Sequence, residues 1–343
     1  MGSQEFTDLL TAALRKRCGN NARVSDLTRL TAGASCESWR FDLSDENPAI
    51  SSPMILRRFP AKSEAGKDGY FADRLAPGRS HEVAILKAVG AAGLPVPVVQ
   101  LELTPDDGLG DGYVMNCLEG AAYPPGILKD DNFAAAREQL PSDIATFRHQ
   151  LSSVDISNIG FARDETASQQ INFFREMLDW LDLKHAGLEL GLSWLRDHLP
   201  EPGPTRLVHG DYRLSNFMIT PKGLNAVIDW ELAHPGDPVE DLGWLCVRSW
   251  RFSNPQLAVA GLTDRRSLLT AWERAGGEPV KLRDLIFWEV LGNVKWAILC
   301  LLQGHRYLSG TDKSIEMAVV GRRVEEPVYD LIRLIDGKDG ELS

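Results

Sequence analysis

Residues 207–230, LVHGDYRLSNFMITPKGLNAVIDW, constrain the fold more than any other stretch of this chain. An apolar pair, Leu207-Val208, runs into a polar loop, and two apolar runs, Phe217–Thr220 and Leu224–Trp230, then flank Pro221-Lys222-Gly223. That pattern reads as a strand, a loop and a hairpin. Three groups suited to phosphate and magnesium chemistry stand on it in fixed order: Asp211, Asn216 and Asp229. Phosphoryl transfer asks little covalent work of a protein. It needs a carboxylate to orient and deprotonate the attacking hydroxyl, and hard oxygen ligands for magnesium bridging the phosphates. Asp211 lies in a loop just after a strand, where a side chain can be exposed yet held. Asn216 opens the first hairpin strand and Asp229 ends the second, so strand pairing would bring their oxygens to one ion.

The surroundings of this island divide in texture. Before about residue 120 the chain reads as short strands: Leu27–Leu30, Glu37–Leu43 with Trp39, Phe41 and Leu43 on one face, Pro53–Phe59, and Tyr113–Leu118. One helix, Ser80–Val89, is marked by Val83, Leu86 and Val89, and Gly93-Leu-Pro-Val-Pro ends it. From residue 121 helical spacing dominates, over Ile171–Leu183, Leu188–Leu199, Val239–Trp250, Leu268–Ala275 and Leu282–Leu302. The expected domains are a strand-rich 1–119 with one helix and a helical 120–343.

Composition removes whole classes of function. Acidic residues outnumber basic ones, 48 to 37, for a net charge of −11, and no basic stripe offers a nucleic-acid surface. The five cysteines (Cys18, Cys36, Cys117, Cys246 and Cys300) form no CxxC pair, which argues against a disulfide framework or zinc site and for a reducing cytoplasm. The N-terminus has no basic segment followed by an apolar core, so a signal peptide is not expected. The most apolar run, Val290–Leu302, is interrupted by Asn293 and Lys295 and is too short to span a bilayer; a buried helix is expected there. A metal-hydrolase reading would recruit His209, Asp211, His234 and Asp237 but lacks an HExxH-type cluster, and no GxSxG elbow supports a serine nucleophile.

His209-Gly-Asp211 through Asn216, followed by Ile228-Asp229-Trp230-Glu231, resembles the catalytic loop and metal motif of the aminoglycoside phosphotransferase and choline kinase superfamily. The resemblance covers about residues 27–310, and the chain looks closest to the broad phosphotransferase enzyme family, some of whose members are fused to acyl-CoA dehydrogenases. It implies an α+β, protein-kinase-like bilobal fold with an antiparallel-sheet N-lobe and a mainly helical C-lobe. It also implies ATP, or GTP, as phosphate donor, Mg2+ as cofactor, and a hydroxyl of a small molecule as acceptor. Asp211 would be the catalytic base, Asn216 and Asp229 the magnesium ligands, His209 a support of the loop and Asp241 its brace.

For nucleotide binding the resemblance points to Arg57 on the third strand, with Arg58 the alternative because adjacent strand residues face opposite sides. Glu82 would orient that cation, or else be a solvated surface residue. Ser35, in the Gly33–Ser38 segment, falls where a loop would cover the phosphates, although a plain hairpin turn explains the segment equally well. Met115 and Cys117 fall on the strand and hinge whose backbone would meet adenine, and Gly120 on the passage between lobes. Asp237, before Pro238 and three residues from Glu240, reads as a capping-box helix start. Trp180, Trp194, Trp244, Trp250, Trp272, Trp288 and Trp296 could line a pocket, but tryptophans at helical spacing more often form core. Rival readings are a nucleotide-binding scaffold with little or no catalysis, and a protein kinase. The second is opposed by the missing GxGxxG loop and by the short path from Asp229 to Val239. No membrane partner is expected.

Overall fold

The structure is a computed structural model and describes residues 3–17, 20–30, 36–45, 52–59, 71, 74–75, 77–161 and 165–338. The chain separates into two compact units, one of Met1–Gly120, Ser157–Gly160 and Ala226–Leu232, the other of the remainder.

The first unit is built on a five-stranded antiparallel sheet in the order β1-β2-β3-β5-β4, with β1 Arg23–Leu30, β2 Glu37–Ser44, β3 Ser52–Arg58, β4 Val99–Glu102 and β5 Gly112–Asn116. Period-two alternation in β2 buries Phe41 and Leu43 and leaves Arg40 and Asp42 half-exposed. Among the described residues, two named helices accompany the sheet where the sequence reading expected one. The helix that strand-based reading passes over is α1, Ser3–Arg17, whose Phe6, Leu10, Ala13 and Leu14 lie on one face by helical spacing. That face packs on Phe41, Leu43, Met54, Leu56, Leu101 and Val114. Arg17 fastens its end, donating to both oxygens of Asp107 at 2.8 and 2.7 Å. The second helix, α2 at Arg79–Ala91, buries Val83, Ile85, Leu86 and Val89 together with Glu82.

The second unit is helical around α9, Leu282–Ser309. Before it in the chain come α3 Pro124–Lys129, α4 Ala134–Leu151, α5 Ala167–Trp180, α6 Ala186–Asp197, α7 Val239–Cys246 and α8 Arg265–Arg274; α10 Ile315–Gly321 and α11 Glu325–Ile335 follow it. Helices α5, α6, α7, α8, α10 and α11 all pack against α9. At 28 residues this helix is long and apolar enough to cross a membrane, so length does not decide its role; 78% of its most apolar window is buried inside the protein, which makes it a core helix. Its one buried carboxylate, Glu289, is held by Arg251 at 2.9 Å and Arg265 at 2.7 Å. Gly243 lets α7 press onto α9, because a Cβ there would overlap Trp288.

Short strands interrupt the helices. β6 Arg206–Val208 pairs antiparallel with β9 His234–Gly236, setting Val208 opposite His234. Between them β7 Phe217–Thr220 and β8 Gly223–Val227 form a two-stranded sheet.

Candidate active site

The loop after β6 carries Asp211, and three buried groups hold its backbone. Gly210 sits at φ 79°, in the left-handed region that a side chain would disfavour. The Asp241 carboxylate on α7 spans two consecutive amides, accepting from His209 N and Gly210 N at 3.0 Å each. Arg148 on α4 lies 3.1 Å from Asp241 and donates to the Leu207 carbonyl at 2.9 Å. Lys295 on α9 donates to the Gly210 carbonyl at 2.6 Å. His209 is fully buried, and its Nδ1 accepts from the Asp211 amide at 3.2 Å.

The Asp211 side chain is 8% exposed and held from several sides. Trp244 on α7 donates its indole N–H to Oδ1 at 2.9 Å. Asn216, in the 3₁₀ turn Leu214–Asn216, donates Nδ2 to both Oδ2 and the backbone carbonyl of Asp211, each at 2.8 Å. Arg213 Nε lies 2.9 Å from Oδ1 and 3.0 Å from Oδ2. Burial alone would raise the pKa of this carboxyl, but the charges of Arg213 and His209 and the Asn216 hydrogen bond outweigh it and hold the pKa below the usual aspartate value. The group is therefore a carboxylate at neutral pH.

Glu240, which sequence reading assigned to a capping box, does something else. Asp237 does accept from Val239 N at 2.9 Å, but the Glu240 side chain turns inward. It meets His234 at 3.1 Å and Lys295 at 3.6 Å, and accepts from Gln170 at 2.5 Å. In this buried setting the capping bond loses to two cations. Burial opposes the charge on His234, yet Glu240 and then Glu165 raise its pKa to about 9. Burial likewise opposes the charge on Glu240, and His234 with Lys295 lowers its pKa to about 2.

In the first unit Arg57 meets three carboxylates. Glu82 on α2 lies 3.2 Å away, Asp229 Oδ1 is 3.1 Å from both terminal guanidinium nitrogens, and Glu231 stands at 3.5 Å. Burial works against the Arg57 charge, but Glu82 and Asp229 more than restore it and hold its pKa well above the ordinary value. Burial raises the Glu82 pKa, with Arg57 pulling the other way. Asp229 itself adopts φ 67°, a conformation that costs a non-glycine residue about 1 kcal/mol and that aspartate tolerates better than most. The neighbouring Arg58 points elsewhere, donating to the Leu109 carbonyl at 2.7 Å and lying over the Phe6 ring.

Met115 is buried on β5, opposite Ile55 of β3, and the Cys117 amide donates to the Pro53 carbonyl at 2.8 Å. Ser35 lies outside the described residues. The structure thus brings Asp211 and Asn216 together in the second unit, and Arg57, Glu82 and Asp229 together in the first. Sequence reasoning missed Trp244, Arg148, Arg213, Glu231 and the His234–Glu240–Lys295 chain. One signal for Lys295 was present: a lysine inside an otherwise apolar helix is rarely idle.

The family profile described as the phosphotransferase enzyme family matches residues 26–277. The chain belongs to that family. An acyl-CoA dehydrogenase family member 10 from Mus musculus is 33% identical over 230 residues, which is 62% of this chain and 20% of that protein. This chain therefore spans only about a fifth of that relative. Among solved structures, a presumed aminoglycoside phosphotransferase from Ralstonia eutropha JMP134 superposes with a TM-score of 0.70 at 20% identity, covering 96% of this chain and 98% of the other. A choline/ethanolamine kinase family protein from Mesorhizobium loti gives 0.63 at 18% identity, covering 96% and 95%. The fold of this phosphotransferase-family chain is α+β and protein-kinase-like, with the antiparallel sheet first and the helices after it.

Proposed function

We propose that this chain is a magnesium- and ATP-dependent kinase that phosphorylates a hydroxyl of a small molecule, with Asp211 as the base. The observation that supports this most directly is the setting of Asp211. An ionised carboxylate is aimed by Trp244 and Asn216 from a loop whose amides are clamped by Asp241. Fixed orientation of this kind is what a phosphoryl-transfer site needs, since its chemistry is mostly positioning and charge stabilisation. In the proposed step the acceptor oxygen forms a bond to the terminal phosphorus of ATP. The bond from that phosphorus to the ADP oxygen breaks, and the hydroxyl proton passes to Asp211.

The donor set fits magnesium, a hard cation that prefers oxygen. Asn216 spends its amide nitrogen on Asp211, which leaves Oδ1 to serve as a ligand, and Asp229 keeps Oδ2 clear of its Arg57 contacts. Each residue would offer an oxygen to magnesium, whose charge would offset that of the phosphates. Arg57, oriented by Glu82, would add a fixed positive charge for the nucleotide phosphates.

The test is ADP formation from ATP and magnesium across a panel of hydroxylated metabolites, with product mass as the second readout. Asp211→Asn should lower transfer by about 10²–10⁴-fold, the contribution of a positioned general base, while Mg-ATP binding by calorimetry persists. Wild-type turnover in that variant would remove Asp211 from the role of base. Asp229→Ala should weaken Mg-ATP binding as well as transfer.

A further inference from the structure

Both oxygens of Asp211 are occupied, and the occupant that can leave is Arg213. A carboxylate offers about four lone-pair directions. Oδ1 receives the Trp244 indole at 2.9 Å, Oδ2 receives Asn216 Nδ2 at 2.8 Å and Arg213 Nε at 3.0 Å, and the same Nε lies 2.9 Å from Oδ1, so that Arg213 covers the edge shared by the two oxygens. A hydroxyl that hands its proton to Asp211 must displace one of these donors. Trp244 is 3% exposed and Asn216 5% exposed, so neither withdraws without unpacking the site. The Arg213 side chain is 28% exposed. Its guanidinium carbon lies 4.6 Å from the centre of the Trp250 ring, a face on which a planar cation can slide without losing its stacking. Lys295, the other nearby cation, has no such freedom: it is buried, bonded to the Gly210 carbonyl at 2.6 Å, and lies 4.7 Å over the Trp244 ring. A guanidinium leaves one carboxylate most readily for another oxyanion, because only an oxyanion restores its charge-assisted hydrogen bonds.

We propose that Arg213 is an oxyanion-binding residue of the reaction centre, shielding Asp211 until an incoming oxyanion draws the guanidinium away. The inference rests on Asp211 being the base. Two sources share the required chemistry: the terminal phosphoryl group of the nucleotide, and an anionic group on the acceptor. Under either source a polycationic acceptor gains nothing from Arg213 and is repelled by it, so neutral or anionic hydroxyl compounds fit this centre better than aminoglycosides or amino alcohols.

Trp250 supplies the reporter, since withdrawal of the stacked guanidinium changes its emission. Wild type, Arg213→Met, Arg213→Gln and Trp250→Phe are titrated at constant ionic strength with orthophosphate, with Mg-ADP and with Mg-AMPPNP, nucleotide binding being followed in parallel by calorimetry. The expected result is a saturable emission change in wild type that is lost in all three variants; two Arg213 variants are used so that misfolding of one leaves the comparison intact. A response to orthophosphate and Mg-AMPPNP but not to Mg-ADP identifies the terminal phosphoryl group as the oxyanion. A response that appears only when 3-hydroxybutyrate is added to the Mg-AMPPNP complex identifies the acceptor's own anion. The proposal is overturned if wild type shows no response to any of these probes, or if the Arg213 variants respond as wild type does. Should calorimetry detect no nucleotide while orthophosphate still shifts wild type alone, the kinase reading falls and the anion site at Arg213 stands.

Discussion

His234 offers the sharpest quantitative test of how the second unit is held together. It is 7% exposed on β9, opposite Val208 at the entrance to the Asp211 loop. Its ring faces Glu240 of α7 at 3.1 Å and Glu165 at 3.6 Å, while Lys295 of α9 lies 3.6 Å from the same Glu240. The two carboxylates raise its pKa from 6.5 to about 9 against the effect of burial. Because the folded-state value is the higher one, the stabilisation is complete below pH 6.5 and is lost as pH rises through about 9. At about 1.4 kcal/mol per unit, the shift corresponds to about 3 kcal/mol of folding free energy. Glu240 sets the acid side. Its pKa falls from 4.5 to about 2, so its share is present above pH 4.5 and fades as pH falls towards 2. The pair is therefore at full strength between pH 4.5 and 6.5. His234→Gln keeps a donor to Glu240 and removes the titration. At pH 6 the variant should melt about 5–10 °C below wild type. Near pH 9.5, where the wild-type imidazole is neutral, the gap should shrink to about 2 °C or less. Calorimetric melting of both proteins at half-unit steps measures this directly, and other titrating groups cancel in the difference. A gap of equal size at pH 6 and pH 9.5 would show that the ion pair carries none of the stability assigned to it.

Two further substitutions probe the two residue clusters, one in each unit. Trp244→Phe keeps most of the ring but removes the indole donor to Asp211, so transfer should fall about tenfold while KM for Mg-ATP changes little; steady-state kinetics on the first active acceptor separates the two, and an unchanged kcat would refute the positioning role. Arg57→Met leaves Glu82, Asp229 and Glu231 without their shared cation. Removal of one partner from a buried ion pair costs about 3–5 kcal/mol, so denaturant unfolding should show that loss, and a variant as stable as wild type would rule out a buried charge cluster there.

What was legible in the sequence follows from how far apart the interacting residues lie. Asp211, Asn216 and Asp229 fall within or beside one loop and one hairpin, and local pattern located both, although Asn216 lies in the 3₁₀ turn just before the first strand and Asp229 two residues beyond the second rather than on the strands expected. Besides the local Arg213 and Asn216, the groups that hold the Asp211 loop come from elsewhere in the chain. Trp244 is 33 positions away, and Lys295 lies 85 positions from the carbonyl it binds. No periodicity or turn rule links such residues. Glu240 shows the same limit in reverse: its spacing from Asp237 fits a capping box, and only the burial of His234 and Lys295 beside it reveals the stronger competitor. The α1 helix was missed for a different reason, since its face becomes a core face only when a sheet lies beneath it.

The two charge clusters differ in a way that bears on how each can act. Around the Asp211 loop each buried carboxylate has at least one cation: Asp211 has Arg213, Asp241 has Arg148, and Glu240 has His234 and Lys295. For the buried members, Asp241 with Arg148 and Glu240 with His234 and Lys295, such balance favours a single geometry, because moving one strips a neighbour of its partner at a cost of several kcal/mol; the part-exposed Arg213 is the member least bound by it. Around Arg57 one guanidinium serves Glu82, Asp229 and Glu231, with side-chain exposures of 2%, 30% and 19%. Burial penalises separation from Arg57 most for Glu82 and least for Asp229, which reaches it from a left-handed backbone. The Arg57–Glu82 contact is therefore the fixed part of that cluster and Asp229 the exchangeable one. Under the proposed function that exchange would suit a magnesium ligand, because a divalent cation at Asp229 would supply the charge that Arg57 otherwise has to divide three ways.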